Sequence, residues 1–405
     1  MTAPVQSQNL LRLPKGFSFS ALAAGIKASG RLDLGLVEAA SGTNAAALFT
    51  KNLVVAAPVE VGRRHLSEAK GRIRAVIVNS GNANCATGDA GVKACEQVCR
   101  SVAKRINIRP EEVFPSSTGI IGVPFPTEKI VAKLPELVEA RESTPAALDC
   151  FTQAIMTTDT RQKSASAHFR AGASDVSLLG VAKGAGMIHP QLATMLVYLF
   201  TDALATPVEL KRLLREACDQ SFNCISIDGD TSTNDTVLLL ASGQSGILLK
   251  DAGVRGKFAK VLFDVCQSLA EQIVSDGEGV QHVIRLFIDQ ARNRPEALQV
   301  ARTIAHSLLV KTAWAGADPN WGRILAAVGR SGVPLDPKRV SIYIGKQMVC
   351  KSGAVHRFDE ARAHQYLAQH DCDIRVQLGC GRSSAAFITS DLTGDYVRIN
   401  ADYST

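Results

Sequence analysis

The chain has 405 residues, of which 46% are hydrophobic, 20% charged and 5% aromatic. That is the composition of a globular protein of two or three domains, with a core large enough to need no disulfide or metal staple. Its 45 basic and 38 acidic residues leave a net charge of +7, scattered without the basic stripe and interleaved aromatics of a nucleic-acid binder, and suited to small acidic substrates.

Other partners are excluded by pattern. No apolar run approaches the roughly 20 residues that span a bilayer. The N-terminus, MTAPVQSQNL, lacks the basic-then-apolar layout of a signal peptide. Ten cysteines contain no CxxC pair, and Cys95 and Cys99 have no His/Cys pair nearby. The expectation is a cytosolic protein with free thiols, no metal and no resident cofactor.

In chain order, Ala75–Val78 reads as a buried strand that stops in a loop at Asn79-Ser80-Gly81-Asn82. Val92, Cys95, Val98, Cys99, Val102 and Ile106 recur at helical spacing. Thr206-Pro207-Val208-Glu209 is a capping box with proline at the first helical position, opening a helix to about Cys218. Leu262, Val265, Cys266, Leu269 and Ile273 mark another helix. Val283–Ile288, Val340–Ile344 and Ile374–Leu378 read as strands, with one helix from Pro295 to Lys311 between the first two. This is an α/β (α+β) protein with several sheets. A change of region falls near residues 280–290, although no composition shift marks it.

Several motifs fail inspection. Ser67-Glu68-Ala69-Lys70 has the SxxK spacing of penicillin-binding enzymes but none of their companion motifs. Asp228-Gly229-Asp230-Thr231-Ser232 opens like a calcium loop, but Thr233 and Leu239 stand where glycine and glutamate are required. The eight histidines form no HxxxH pair.

The segment that carries chemistry is Lys183-Gly184-Ala185-Gly186-Met187-Ile188-His189-Pro190-Gln191-Leu192-Ala193-Thr194-Met195. A glycine-rich loop runs into an apolar strand through a hydroxyl residue. One reading is a plain loop entering a buried strand. The other is self-cleavage: the Thr194 hydroxyl attacks the Ala193 carbonyl, water opens the ester, and a chain beginning at Thr194 is released. Its new α-amine, of intrinsic pKa near about 8, is a local base for its own hydroxyl.

The segment resembles the cleavage and nucleophile motif of the ornithine acetyltransferase (glutamate N-acetyltransferase) family of arginine biosynthesis. The resemblance extends over nearly the whole chain, through Asn79-Ser80-Gly81-Asn82-Ala83-Asn84, Ser116-Ser117-Thr118-Gly119, Met156-Thr157-Thr158-Asp159-Thr160, Asp276-Gly277-Glu278-Gly279, Asp318-Pro319-Asn320-Trp321-Gly322-Arg323 and the closing Asp395–Thr405. It implies stacked helix and sheet layers with a smaller C-terminal region. The division expected is 1–193, 194–285 and 286–405. The resemblance further implies a cut at Ala193-Thr194 and a heterotetramer of two α and two β pieces.

By resemblance, Thr194 is the nucleophile that carries acetyl from N-acetylornithine to glutamate. Thr118 and Gly119 form the oxyanion hole; composition alone reads them as a turn. Lys183 suits the substrate α-carboxylate and Glu278, in a glycine-flanked turn, the ornithine ammonium. Thr157, with Thr158 as its alternative, Asn400 and Thr405 are substrate contacts, and Tyr396, Val397 and Ile399 are expected to pin the tail. His189 and Gln191 depart from what many members carry, which bears on cleavage rate. Whether acetyl-CoA is a second donor is left open. The alternatives are a self-cleaving aminopeptidase or amidase, and an uncleaved, non-catalytic relative.

Overall fold

The computed structural model describes residues 11–189 and 195–402, so Ala193, Thr194, Gln191 and Thr405 lie outside the described residues. The first part of the chain runs β1 (Phe17–Leu22), β2 (Leu34–Ala39), β3 (Asn44–Phe49), α1 (Ala57–Glu68), β4 (Ala75–Asn82), α2 (Gly88–Ile106), β5 (Val113–Ile120), α3 (Thr127–Glu139), α4 (Pro145–Ala154), β6 (Lys163–Ala171) and β7 (Ser174–Lys183). After residue 194 come β8 (Leu196–Thr201), α5 (Pro207–Gln220), β9 (Ile225–Ser226), β10 (Thr236–Ala241) and α6 (Ala252–Ser275). The last part runs β11 (Val283–Ala291), α7 (Arg294–Ala305), α8 (Leu308–Ala315), α9 (Trp321–Gly329), β12 (Ser341–Ile344), β13 (Gln347–Lys351), β14 (Ala354–Val355), α10 (Glu360–Leu367), β15 (Asp371–Gln377), β16 (Ser383–Ser390) and α11 (Gly394–Asp402).

Three sheets result, with strand orders β1-β2-β4-β5, β3-β10-β8-β7-β6 and β14-β13-β12-β15-β11-β16-β9. The first two lie face to face. Phe17, Phe19, Val76, Val78 and Phe114 of one pack into a single core with Leu179, Val181, Tyr198, Phe200 and Leu238 of the other. Alternate residues point outward from this pair. On one side Leu34, Leu36, Ala75 and Ile77 bury against α2 and α3. On the other Val176, Leu178, Val197, Leu199 and Leu239 bury against α5 and α6. The order of layers is therefore helix, sheet, sheet, helix. The third sheet forms a smaller region with α7, α9 and α10 over its own core. It begins at Val283, so residue 285 falls inside β11, and it borrows the short β9 from the preceding part.

Local signals explain several elements. Thr206 accepts a hydrogen bond from the Glu209 amide at 3.2 Å, and Pro207 opens α5. Asn293 caps α7 in the same way, and Asn107 ends α2 in the left-handed conformation, φ 55°. No helix of the described residues is long and apolar enough to cross a membrane.

Two sequence expectations are corrected. β4 does not stop at Val78 but continues to Asn82, because its polar side chains find partners inside. Ser80 donates to the Ala154 carbonyl at 2.5 Å, and Asn79 accepts from Ser117 at 2.6 Å. Its parallel partner β5 likewise carries Thr118 and Gly119, so these are strand residues and not a turn. The helix expected from Pro295 to Lys311 is two helices. α7 ends at Ala305 and α8 starts at Leu308, with the His306 ring turned inward to Ser226.

Candidate active site

The open ends of β5 and β7 meet at a cleft between the two face-to-face sheets. β5 brings Thr118 and Gly119, β7 brings Lys183, and the turn after α4 brings Thr157 and Thr158. Glu278 arrives from the turn after α6, and Asn400 from α11. The β9–β10 connection closes the wall with Ser232, Thr233 and Asn234. Six of the expected positions thus line one cleft, and both Thr157 and Thr158 face it. The other three, Ala193, Thr194 and Thr405, are outside the described residues. The described chain resumes beside the cleft at Met195, and Leu196 is the register partner of Lys183.

Gly119 is glycine for a reason of space. Its φ is +131°, and a Cβ there would run into the carbonyl carbon of Gly81 on β4. Gly186 has a different reason: a Cβ would displace the Glu278 carboxylate, which lies against it. The Glu278 amide donates to the Ala185 carbonyl at 2.8 Å, fixing its turn to the same loop.

Lys183 is buried, and its Nζ donates to Thr118 Oγ1 at 3.0 Å. Burial pushes its pKa down, and the nearby Asp159 carboxylate opposes this. Asp159 is the hub of the buried charges. Its Oδ1 accepts from Lys163 Nζ at 2.6 Å and from the Gly184 amide at 2.7 Å, and its Oδ2 from the Thr157 amide at 2.9 Å. Burial alone would raise its pKa, but the Lys183 and Lys163 ammoniums and these donors hold it down at about 2. Lys163 also bonds Asp276 Oδ2 at 2.5 Å, and Asp276 takes the Thr160 and Arg161 amides. One buried network therefore fixes both the Thr157 backbone and the loop after Lys183.

The tail is held differently from expectation. Val397 and Ile399 are 62% and 38% exposed, so they do not pin it. Polar groups do. Asn400 Nδ2 donates to Glu278 Oε2 at 2.8 Å and to the Tyr396 carbonyl at 3.0 Å, and the half-buried Tyr396 hydroxyl lies 3.4 Å from Asp228. The backbone at Gly279 packs so closely on Tyr396 that a Cβ would strike its amide. The expectation fails for Val397 and Ile399 because the helix is anchored through its backbone, the Asn400 amide and the Tyr396 hydroxyl.

Sequence reasoning missed Lys163, Asp228 and Asp235, all buried or nearly so. The signal was available in the polar run Asp228–Asp235, set between two apolar strands. A solvated loop has no need of apolar flanks, whereas polar residues drawn into an interior are there to bond something. Asp228 takes the Met187 and Ile188 amides at 2.5 and 2.9 Å. Among the described residues no group of three or more His, Cys, Asp or Glu is arranged to hold a metal.

Comparison with known proteins covers nearly the whole chain. The ArgJ family model matches residues 18–405. The chain is 45% identical over 394 residues to the arginine biosynthesis bifunctional protein ArgJ of Methylococcus capsulatus, covering 96% of this chain and 95% of that protein. It is 44% identical over 394 residues to the protein of the same name from Geobacter sulfurreducens, covering 96% and 99%. Among solved structures, ornithine acetyltransferase complexed with ornithine from Mycobacterium tuberculosis is 37% identical, covering 44% of this chain and 94% of that chain with a TM-score of 0.39.

Proposed function

The chain belongs to the ArgJ family, and on that premise we propose that it cuts itself between Ala193 and Thr194 and then carries acetyl from N-acetylornithine to glutamate as an ester on Thr194. The observation that carries the proposal is the convergence of Thr118, Gly119, Thr157, Lys183, Glu278 and Asn400, far apart in sequence, on one cleft.

The chemistry follows from those groups. The α-amine of Thr194 takes the proton of its own hydroxyl, and Oγ attacks the acetyl carbonyl. The tetrahedral oxyanion needs fixed donors. Lys183 already fills a lone pair of Thr118 Oγ1, so the Thr118 hydroxyl hydrogen is free to donate to the oxyanion beside the Gly119 N–H. A donor that itself accepts from an ammonium is a stronger donor. The carbon–nitrogen bond breaks, the amine takes up the proton and ornithine leaves. The amine of glutamate then attacks the acetyl ester, returning Thr194 and giving N-acetylglutamate. Lys183 supplies positive charge for the α-carboxylate of either substrate, and Glu278 pairs with the ammonium of the ornithine side chain. The same carboxylate has no such partner on glutamate, so Asn400, bonded to it, moderates its charge in the second half-reaction.

The relatives' name, bifunctional, extends the proposal to acetyl-CoA as a second acetyl donor, with no resident cofactor. A cytosolic heterotetramer of two α and two β pieces belongs to the same proposal. Intact-mass spectrometry before and after N-acetylornithine is the test. Two pieces, with the one beginning at Thr194 gaining a single acetyl that glutamate removes, are expected. An acetyl lost to water at the same rate without glutamate indicates a hydrolase, and an uncut chain that takes up no acetyl overturns the mechanism.

A further inference from the structure

The connection between β9 and β10 grips the chain on both sides of residues 190–194. On the upstream side, the Asp228 carboxylate takes the amides of Met187 and Ile188, and the Ile227 amide and Ser226 hydroxyl both donate to the Ile188 carbonyl at 2.9 Å. Ser226 Oγ, having given its hydrogen to Ile188, accepts from His306 Nε2 at 3.0 Å, and that nitrogen also stands 3.2 Å from His189 Nδ1. These bonds hold Met187 at φ +58°, a left-handed conformation that a long side chain rarely adopts. On the downstream side, Asp235 Oδ1 accepts from the Met195 amide at 2.8 Å, and the Thr236 amide donates to the Met195 carbonyl at 3.1 Å. The chain before residue 190 and the chain after residue 194 are thus tied to one short connection. That is the condition for keeping a peptide bond in a reactive shape and an attacking hydroxyl in line.

We propose that residues 226–236 are the brace against which the chain is cut, and that Asp235 is a positioning residue that aims Thr194 by holding the amide immediately after it.

The proposal rests on Thr194 being the nucleophile. The Met195 N–H belongs to the peptide formed with the Thr194 carbonyl, so Asp235 acts one bond from the reacting residue. Its chemistry differs from that of Asp159, which is equally buried. Asp159 touches an ammonium directly, whereas Asp235 accepts from the Met195 amide and has the Ser232 hydroxyl beside it. Burial pushes the Asp235 carboxyl well above the carboxylate range, against the pull of the Met195 amide and the charge of Lys183. A carboxylic acid in that place offers one acceptor, used by Met195, and one donor on its other oxygen. An asparagine side chain offers the same pair.

The experiment follows the rate at which newly made full-length chain is cut, by intact mass, together with kcat and KM of the cut enzyme, in Asp235→Ala, Asp235→Glu and Asp235→Asn. In Asp235→Ala and Asp235→Glu, cutting slows by at least about tenfold and kcat falls in parallel while KM for glutamate stays within about twofold, because a nucleophile displaced by the order of 1 Å loses rate and not binding. Asp235→Asn recovers most of the rate lost in Asp235→Ala. Cutting and kcat at the parental level in Asp235→Ala or Asp235→Glu overturn the proposal, and so does Asp235→Asn as slow as Asp235→Ala. Where Asp235→Ala yields no folded chain, Asp235→Glu carries the comparison, since it keeps the acid and moves it by one methylene. The underlying reading fails separately: the parent chain then stays whole, or Thr194→Ala is cut.

Discussion

Lys183 Nζ reaches Thr118 Oγ1 at 3.0 Å across the cleft, joining the end of β7 to the end of β5. The bond ties the cation proposed for the substrate carboxylate to the hydroxyl proposed for the oxyanion. The two roles are therefore coupled, and a change at Lys183 reaches the oxyanion as well as the carboxylate. Lys183→Met lowers kcat/KM by about 100-fold or more, the size of a lost hydrogen bond to a charged group together with a weakened donor. Both kcat and KM move. Steady-state kinetics with glutamate as the varied substrate check this, and a change confined to KM contradicts the coupling.

Glu278 discriminates between the two amino acids. Its carboxylate lies on Gly186 and is bonded by Asn400 at 2.8 Å. Only the ornithine side chain carries a positive charge to match it. In Glu278→Gln the KM for N-acetylornithine rises by about 10-fold to 100-fold, as expected for a charge-assisted bond made neutral, while the KM for glutamate is unchanged or falls. A matched pair of KM titrations separates this from a general loss of fit.

Lys163 is a cation held between two buried carboxylates, those of Asp159 and Asp276, both within 2.6 Å of its Nζ. Lys163→Met removes it and leaves both carboxylates short of a partner. Breaking a buried pair from one side costs about 3–5 kcal/mol. Urea unfolding of the variant shows a lower midpoint with the slope retained. A midpoint unchanged from the parent contradicts the network as described.

His306 gives stability a dependence on pH. Burial, with His189, Lys311 and the arginines around it, lowers its pKa from 6.5 to about 4. A histidine depressed in the folded state is neutral there and takes its proton in the unfolded chain first. Its contribution is complete above pH 6.5 and is lost as pH falls toward 4. At pH 5 the loss is about 2 kcal/mol relative to pH 7.5 by linkage. Urea midpoints of the parent and of His306→Gln at the two pH values check it: the parent falls more steeply than the variant.

The layered part of the fold was legible because its helices announce themselves. Thr206-Pro207 and the spacing from Val92 to Ile106 depend on local geometry alone, and α5 and α2 stand where those signals put them. The extent of β4 was not legible. Asn79 and Ser80 look like a loop until Ser117 and the Ala154 carbonyl, brought in from elsewhere in the chain, satisfy them. The split between α7 and α8 was hidden for a similar reason, since nothing near His306 in sequence reveals Ser226. Of the site, the resemblance located the cleft residues, but it was silent on the groups that hold them. Asp159 and Lys163 bond across four residues, which a pattern could have caught. Asp235 bonds across forty, and only the fold could bring it to Met195.

The five-stranded sheet has the order β3-β10-β8-β7-β6. A cut before Thr194 would assign β3, β7 and β6 to one polypeptide and β10 and β8 to the other, with the second pair lodged between strands of the first. Two seams, β3 to β10 and β7 to β8, would each have to part along their whole length before the pieces could separate. Each freed piece would then show the raw, apolar strand edges that proteins keep covered. The two polypeptides would thus be inseparable short of denaturation: a subunit boundary by chemistry, yet without the reversible equilibrium that ordinary subunits have. Genes for the halves expressed apart would yield insoluble products, and mixing purified halves would regain activity only if both were unfolded first and renatured together.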